Sequence, residues 1–162
     1  TIKVNATTLP LKVKQKTSAL KVSGLAKGDF VKSWKSGNTK IFTVSSKGVI
    51  TAGKKTGKAT LTITLASGLK KNITVKVQKS TVATSKIRGL KSKVILKKGK
   101  KLTLKPVRTP ITSKQKFTYS TSNKKIAAVS GKGVITAKKA GKAKITVKSG
   151  KKKFTVTVTV TK

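Results

Sequence analysis

The chain of 162 residues carries 41 Lys and Arg against one acidic residue, which gives it a formal net charge of +40. It has no His, Cys or Glu and its one acid is Asp29, so these side chains cannot form an acid–base pair, a catalytic triad or a metal cluster. Such a charge is typical of disordered chains. However, Leu, Ile, Val and Phe make up 43 of the 162 residues, and this share exceeds the roughly 20% below which a highly charged chain is expected to be disordered.

The first half of the chain predicts short strands separated by turns. Apolar residues of the segment 59–65 alternate with threonine, and this period of two is typical of a half-buried strand. Taken in chain order, the predicted strands are residues 1–4, 10–14, 18–23, 30–35, 41–45, 48–52, 58–66 and 69–78.

The second half repeats this pattern, and its last strand alternates Phe and Val with threonine. The predicted strands are residues 92–97, 101–107, 116–121, 126–130, 133–137, 142–148 and 152–161. Between the second and third of these lie Pro106 and Pro110, which predict an edge strand or a loop because proline donates no backbone hydrogen bond.

The two halves are copies of one another. The segment GVITA occurs at residues 48–52 and again at residues 133–137, an offset of 85 residues. That period is longer than the roughly 20–50 residues of solenoid repeats and indicates two domains. About seven strands in each copy, separated by turns, predict an all-β protein made of two tandem immunoglobulin-like β-sandwiches. We expect domains at residues 1–79 and 86–162, joined by a stiff linker at 80–85 that lacks Gly and Pro.

A motif runs through both copies: an aromatic residue and Ser before Asn, then Ile-x-x-Val-Ser, GVITA, a strand led by Gly, and a final Val-rich strand. In the first copy it comprises Trp34, Ser36, Asn38, Ile41, Val44, Ser45, residues 48–52, Gly57 and residues 75–77. In the second copy it comprises Tyr119, Ser120, Ser122, Asn123, Ile126, Val129, Ser130, residues 133–137, Gly141 and residues 156–160.

Elementary chemistry explains several positions of this motif. Gly48 and Gly133 suit tight turns that need a positive φ. The aromatic residues Trp34 and Tyr119 suit core anchors with a polar tip, and each Asn suits a turn closed by its side chain. Asp29 follows a glycine and is expected to be a turn residue as well.

This motif resembles the group 2 bacterial immunoglobulin-like domain. The resemblance implies a non-catalytic spacer, stalk or accessory module of a larger secreted or surface protein of bacteria, such as an adhesin, a surface-layer protein or a secreted glycoside hydrolase. It implies an extracellular location, no enzyme activity, no cofactor or metal, and the neighbouring domains of the same polypeptide as partners. The charge departs from the family, whose members ordinarily carry mixed charge.

The lysines leave two interpretations open. They protect sheet edges and favour solubility, or they attract a polyanion such as an acidic cell-wall polymer, an anionic membrane surface or an acidic glycan. With two arginines and six aromatic residues, nucleic acid is expected to bind only non-specifically. The candidate polyanion-binding residues are Lys54, Lys55, Lys58, Lys97, Lys98, Lys100, Lys101, Lys138, Lys139, Lys142, Lys144, Lys151, Lys152 and Lys153.

Overall fold

The computed structural model describes residues 1–162, and all of its regular structure is β. The first nine strands are β1 (Lys3–Val4), β2 (Thr8–Lys12), β3 (Lys16–Thr17), β4 (Val22–Ser23), β5 (Val31–Ser36), β6 (Phe42–Val44), β7 (Ile50–Ala52), β8 (Gly57–Leu65) and β9 (Lys70–Gln78). The other nine are β10 (Lys86–Arg88), β11 (Lys93–Lys97), β12 (Lys101–Thr103), β13 (Val107–Thr109), β14 (Phe117–Thr121), β15 (Ala127–Val129), β16 (Val134–Ala137), β17 (Gly141–Ser149) and β18 (Lys152–Thr161).

The chain divides into two compact units. The first unit comprises residues 1–82 together with 110–113, and the second comprises residues 83–109 and 114–162. Within the first unit, Ile111 packs against the core formed by the early strands. The predicted domain boundaries at residues 79 and 86 remain a prediction. Within the predicted linker at 80–85, the side chains of Val82 and Thr84 are both buried.

The first unit is built from three sheets. Four strands pair in the order β2-β9-β8-β5, three in the order β3-β7-β6, and β1 pairs with β4. The alternation of apolar and polar residues turns one side of each long strand inward, so that Ile73, Val75 and Val77 of β9 are buried between exposed neighbours. Phe42 and Leu9 lie in the same core and are fully buried.

The second unit repeats this topology strand for strand. Its sheets have the orders β11-β18-β17-β14 and β12-β16-β15, with a β10-β13 pair. Its core contains Ile135, Ile145 and Val158, all fully buried. In both units the first strand of the larger sheet runs parallel to the last strand, β2 beside β9 and β11 beside β18, while the other pairs are antiparallel.

The prediction of an all-β fold with immunoglobulin-like sandwiches is confirmed. Two of the predicted strands, residues 18–23 and 101–107, are wrong, because neither segment forms one continuous strand. The segment 18–23 contains the end of one connection and the short strand β4, because the chain leaves β3, which pairs with β7, and crosses to pair with β1. Leu20 is buried at this crossing.

The segment 101–107 divides in the same way into β12, which pairs with β16, and the beginning of β13, which pairs with β10. Pro106 lies in the gap and Pro110 directly follows β13, so both prolines lie outside strands, as expected for a loop. The strand β10, which has only one buried residue, Ile87, was not predicted. The structure contains no helix long and apolar enough to span a membrane.

Candidate functional site

The repeated motif folds into the same turn twice. Gly48 has φ +73° and Gly133 has φ +77°, which confirms the predicted positive φ. A Cβ added to Gly48 would lie 2.7 Å from Cζ2 of Trp34, and one added to Gly133 would lie 2.8 Å from Cζ of Tyr119. Each aromatic ring therefore covers a glycine turn at the margin of its core, where it is half-buried and not fully enclosed.

The polar residues of the motif close the preceding turn through hydrogen bonds. Oδ1 of Asn38 accepts from the amide of Lys40 at 3.0 Å, and Oδ1 of Asn123 accepts from the amide of Lys125 at the same distance. The hydroxyl of Ser36 donates to the carbonyl of Phe42 at 2.7 Å. Both predicted Asn turns are confirmed, and these side chains serve to hold the backbone.

Asp29 also has a structural partner. Its Oδ2 accepts a hydrogen bond from the Ser67 hydroxyl at 2.7 Å, and its Oδ1 accepts from the amides of Phe30 and Ser67. The Ser67 hydroxyl and these amides lower the pKa of Asp29 below its ordinary value. The carboxylate thus fastens the turn before β5 to the hairpin turn between β8 and β9.

A buried polar cluster in the second unit was not predicted from the sequence. The hydroxyls of Thr84 and Ser149 lie 2.8 Å apart, and the Thr84 amide donates to Oε1 of Gln115 at 2.7 Å. Nη1 of Arg108 donates to the Gln115 carbonyl at 2.6 Å, and the guanidinium lies 5.1 Å from the centre of the Phe117 ring. These bonds tie the segment around Thr84 to the rest of the second unit.

The candidate lysines of the first unit lie at one end of its larger sheet. Lys54 and Lys55 belong to the turn between β7 and β8. Lys58 lies on the outer face of β8, directly opposite Lys76 of β9. All four side chains are exposed, and no carboxylate accompanies them.

Six candidate lysines of the second unit are brought to one end of it. The Gly99 amide donates to the Ala137 carbonyl at 2.8 Å, and the Ala137 amide donates to the Lys100 carbonyl at 3.0 Å. These bonds join the turn after β11 to the end of β16. We call this group the lysine pole; its members are Lys97, Lys98, Lys100, Lys101, Lys138 and Lys139.

The remaining candidates lie elsewhere in the second unit. Lys151, Lys152 and Lys153 form the tip of the β17–β18 hairpin, and the strand register places that tip at the end opposite the lysine pole. Lys142 and Lys144 lie on the outer face of β17. The structure therefore does not gather the predicted lysines into one site.

Two lysines that sequence reasoning missed, Lys93 and Lys148, lie on the same outer face. The period-two pattern of each strand could have predicted that both lysines face outward, because each lies an even number of residues from another outward-facing lysine of its strand. The pairing of β11 with β18 that brings Lys93 near β17 was not available from the sequence.

Comparison with known proteins agrees with this architecture. Residues 83–160 match the family of the bacterial Ig-like domain (group 2). Domains 4 and 5 of the S-layer protein SbsC share 23% identity, with 80% of this chain and 70% of that chain covered and a TM-score of 0.45. A longer structure of SbsC also shares 23% identity, and there the match covers 79% of this chain but 19% of that chain, with a TM-score of 0.45.

Among solved structures, EC1-3 of Drosophila N-cadherin shares the fold, with 8% identity, 99% of this chain and 66% of that chain covered, and a TM-score of 0.52. No curated protein sequence matches the chain.

Proposed function

We propose that this chain is a non-catalytic spacer or accessory module of a larger bacterial protein, because residues 83–160 match the bacterial Ig-like domain (group 2) family. That protein is secreted or held at the cell surface. The neighbouring domains of the same polypeptide are its principal partners.

The observation that carries this proposal is the parallel pairing of the first and last strands of the larger sheet in each unit. Thr8 of β2 pairs with Thr74 of β9, and Lys12 pairs with Gln78, so both strands run in the same direction. The chain consequently enters the larger sheet at one end and leaves it at the other. A unit of this kind extends a polypeptide, whereas a unit with both termini at one end forms a side branch.

The same pairing supports a mechanical role. A force along the strands that pulls the start of β2 and the end of β9 in opposite directions acts on all of their hydrogen bonds together, because the two pulled residues lie at opposite ends of the parallel pair. The second unit has the equivalent pair, since Lys93 of β11 faces Thr157 of β18 and Lys97 faces Thr161. Ser36, Asn38, Asn123 and Asp29 are all engaged in holding turns, which supports a scaffold.

Single-molecule pulling tests this proposal. Stretching the whole chain by its ends is expected to give two unfolding events of similar contour length, each corresponding to about 80 residues at about 3.5 Å per residue. The matched control is the variant with Lys58→Cys and Lys76→Cys, pulled under reducing conditions through those two residues. They face each other across β8 and β9, so this force separates the strands one bond at a time.

The unfolding force of the first unit is expected to be several-fold higher in the end-to-end geometry than in the control. Equal forces in the two geometries would contradict a spacer that carries mechanical force.

A second function is favoured by the position of the lysines. The lysine pole and the exposed lysines of the outer faces form large cationic surfaces that no carboxylate neutralises. Such surfaces attract polyanions over distances of about 8–10 Å at ordinary ionic strength. In this second proposal, the module holds its parent protein electrostatically to an anionic cell-wall polymer, an anionic membrane surface or an acidic glycan.

Retention on purified bacterial cell walls tests the second function. The chain is expected to bind walls that contain teichoic acid at about 50 mM salt and to be released at about 500 mM, because binding releases counterions. Walls stripped of teichoic acid serve as the control. Equal retention on stripped walls would contradict an anionic-polymer role.

A further inference from the structure

The outer face of the larger sheet in the second unit has an ordered arrangement of charge. Threonines of the central strand β18 form a line, Thr157, Thr159 and Thr161, whose side chains face away from the core. Exposed lysines flank this line on both neighbouring strands. They are Lys93 and Lys97 on β11, and Lys142, Lys144 and Lys148 on β17.

From this arrangement we propose a specific site, which rests on the second function above: the face binds one linear polyanion that lies along β18 between two rails of lysine. We call it the lysine lane, and it consists of the eight residues just named. The ligand class is a flexible chain with single negative charges at regular intervals, of which an alditol phosphodiester polymer is the closest chemical example.

The strand register places the rails on either side of the threonines. Lys93 and Lys144 both pair with Thr157, one from each side. At the next outward position of β11 the exposed Ile95 pairs with Thr159, so an apolar side chain lies between the two lysines of this rail. Residues paired across neighbouring strands share a face of the sheet. Since strands lie about 4.8 Å apart, the two rails are separated by about 10 Å at the backbone, which leaves room for a single polymer chain.

The spacing along the lane suits a phosphodiester chain. Lys142 and Lys144 lie two residues apart on β17, which corresponds to about 6.7 Å along a strand. An extended glycerol phosphate chain presents its phosphates at about the same interval. Each lysine ammonium supplies up to three donors and each threonine hydroxyl one, so charge neutralisation and hydrogen bonding are both available.

The surface is also indented at this place. A shallow depression of about 220 Å³ lies on the β17 side of the lane and is lined by Ser122, Lys142, Ala143, Lys144 and Thr157. The hydroxyl of Ser122 accepts a hydrogen bond from the Lys144 amide at 2.9 Å, which fixes the edge of the depression. Both flanking lysines are exposed and free of carboxylate partners.

The first unit has the same sheet with a different charge arrangement. Thr74 of its central strand pairs with Thr8 and Thr60, at the positions where the second unit places Lys93 and Lys144. Its central strand instead carries Lys76, directly opposite Lys58. The two units thus share their fold and their turns, while only the second has lysine rails around a threonine centre.

The test compares charge-matched variants of the whole chain. The lane variant carries Lys93→Gln, Lys142→Gln, Lys144→Gln and Lys148→Gln, none of which belongs to the lysine pole. The first-unit control carries Lys12→Gln, Lys54→Gln, Lys55→Gln and Lys58→Gln, and the pole control carries Lys98→Gln, Lys100→Gln, Lys138→Gln and Lys139→Gln. All three variants lose the same charge, so only the position of the loss differs.

Binding to poly(glycerol phosphate) is measured by calorimetry across a series of salt concentrations. We expect the lane variant to lose affinity at least tenfold and each control no more than threefold. The slope of log affinity against log salt is expected to fall by about 3 in the lane variant, at about 0.7 for each lost contact with a flexible chain. Circular dichroism and urea unfolding confirm that each variant is folded.

The outcomes are distinct. Equal losses in all three variants would overturn the lane while leaving the electrostatic function intact, because binding would then follow total charge. A larger loss in the pole control would overturn it in favour of the pole. Tighter binding of the parent chain to phosphatidylglycerol vesicles or to single-stranded DNA of equal charge would overturn the ligand class. No binding to poly(glycerol phosphate) by the parent chain would overturn the lane, and the second function would fall with it only if the parent chain also fails to bind phosphatidylglycerol vesicles and teichoic-acid walls.

Discussion

At the scale of single residues, the glycine turn shows how the repeat is held. The backbone at Gly48 and at Gly133 lies in the left-handed region, and an aromatic ring occupies the space where a side chain would begin. Trp34 and Tyr119 differ chemically yet cover the turn in the same way. The turn needs a flat aromatic ring packed against a backbone that has no Cβ. This explains why the aromatic residue and the glycine occur together in both copies.

Substitution of three glycines in the second unit separates strain from steric overlap. Gly133→Ala meets both a positive φ and the Tyr119 ring and is expected to destabilise by about 2–4 kcal/mol. Gly99 has φ +82° but open space around it, so Gly99→Ala is expected to cost about 1 kcal/mol. Gly131 has neither constraint, and its change to Ala is expected to stay within about 0.5 kcal/mol.

Urea unfolding followed by emission from Tyr119, the only tyrosine, reports on the second unit. A Gly133→Ala variant that is no less stable than Gly99→Ala would contradict the role of the ring.

Asp29 gives this chain an unusual pH dependence. Its folded pKa is lowered, first by the Ser67 hydroxyl and then by backbone amides, while its unfolded pKa is about 3.9. Its contribution to stability is therefore present above pH 3.9 and is lost as the pH falls through the lower folded pKa. No histidine titrates between pH 5 and 8.

We expect the urea midpoint of the first unit, followed by Trp34 emission, to stay flat from about pH 8 to 5 and to fall as the pH drops below about 4. In the Asp29→Asn variant the fall should be absent. A fall of equal size in that variant would assign it to another group.

At the scale of elements, the outer faces of the larger sheets place like charges together. Lys58 faces Lys76 across β8 and β9, and Lys148 faces Lys153 across β17 and β18. Directly opposed like charges destabilise a strand pair by about 0.2–1 kcal/mol. The sheets tolerate this because their inner faces are fully buried and because lysine stems keep the ammonium groups in water.

Reversing one charge of such a pair is expected to stabilise the sheet. Lys76→Glu places a carboxylate opposite Lys58 and should gain about 0.5–1 kcal/mol at low salt, with the gain shrinking as salt screens the pair. Lys35→Glu is the matched control, because Lys35 pairs with Thr62 and not with a lysine. Denaturant unfolding observed through Trp34 emission measures both. Equal gains from the two changes would show that total charge matters and cross-strand pairing does not.

At the scale of the whole molecule, the net charge of +40 sets how the protein responds to salt. Each exposed lysine pair contributes only tenths of a kcal/mol, but the sum over so many pairs is comparable with a marginal domain stability of about 5 kcal/mol. Screening this repulsion favours the compact state. The melting temperature is therefore expected to rise between about 20 and 500 mM NaCl.

Polyphosphate at low salt is expected to raise the melting temperature further, since a ligand that prefers the folded state stabilises it. Thermal melts followed by circular dichroism measure both effects. A melting temperature that stays flat or falls with salt would mean that the lysines are too far apart to interact.

The sequence by itself determined the local parts of this protein. Period-two alternation of Val, Ile and Thr specified the long strands, because a strand needs only one buried face, and the 85-residue repeat specified two copies. Gly48, Gly133, Asn38 and Asn123 were identifiable because a turn depends on the chemistry of a few adjacent residues. The absence of catalytic side chains was likewise a matter of composition.

Only the tertiary structure decided which distant residues meet. The points near Leu20 and Pro106 where the chain passes from one sheet to another could not be predicted from the sequence. The apolar residues continue before and after each crossing, so the segment has the pattern of one strand. Lys93 and Lys144 face the same threonine only through the parallel pairing of β11 with β18, which joins residues more than sixty positions apart. A lysine count gives the strength of the field, but strand register fixes its geometry, since hydrogen bonding between strands sets which side chains share a row.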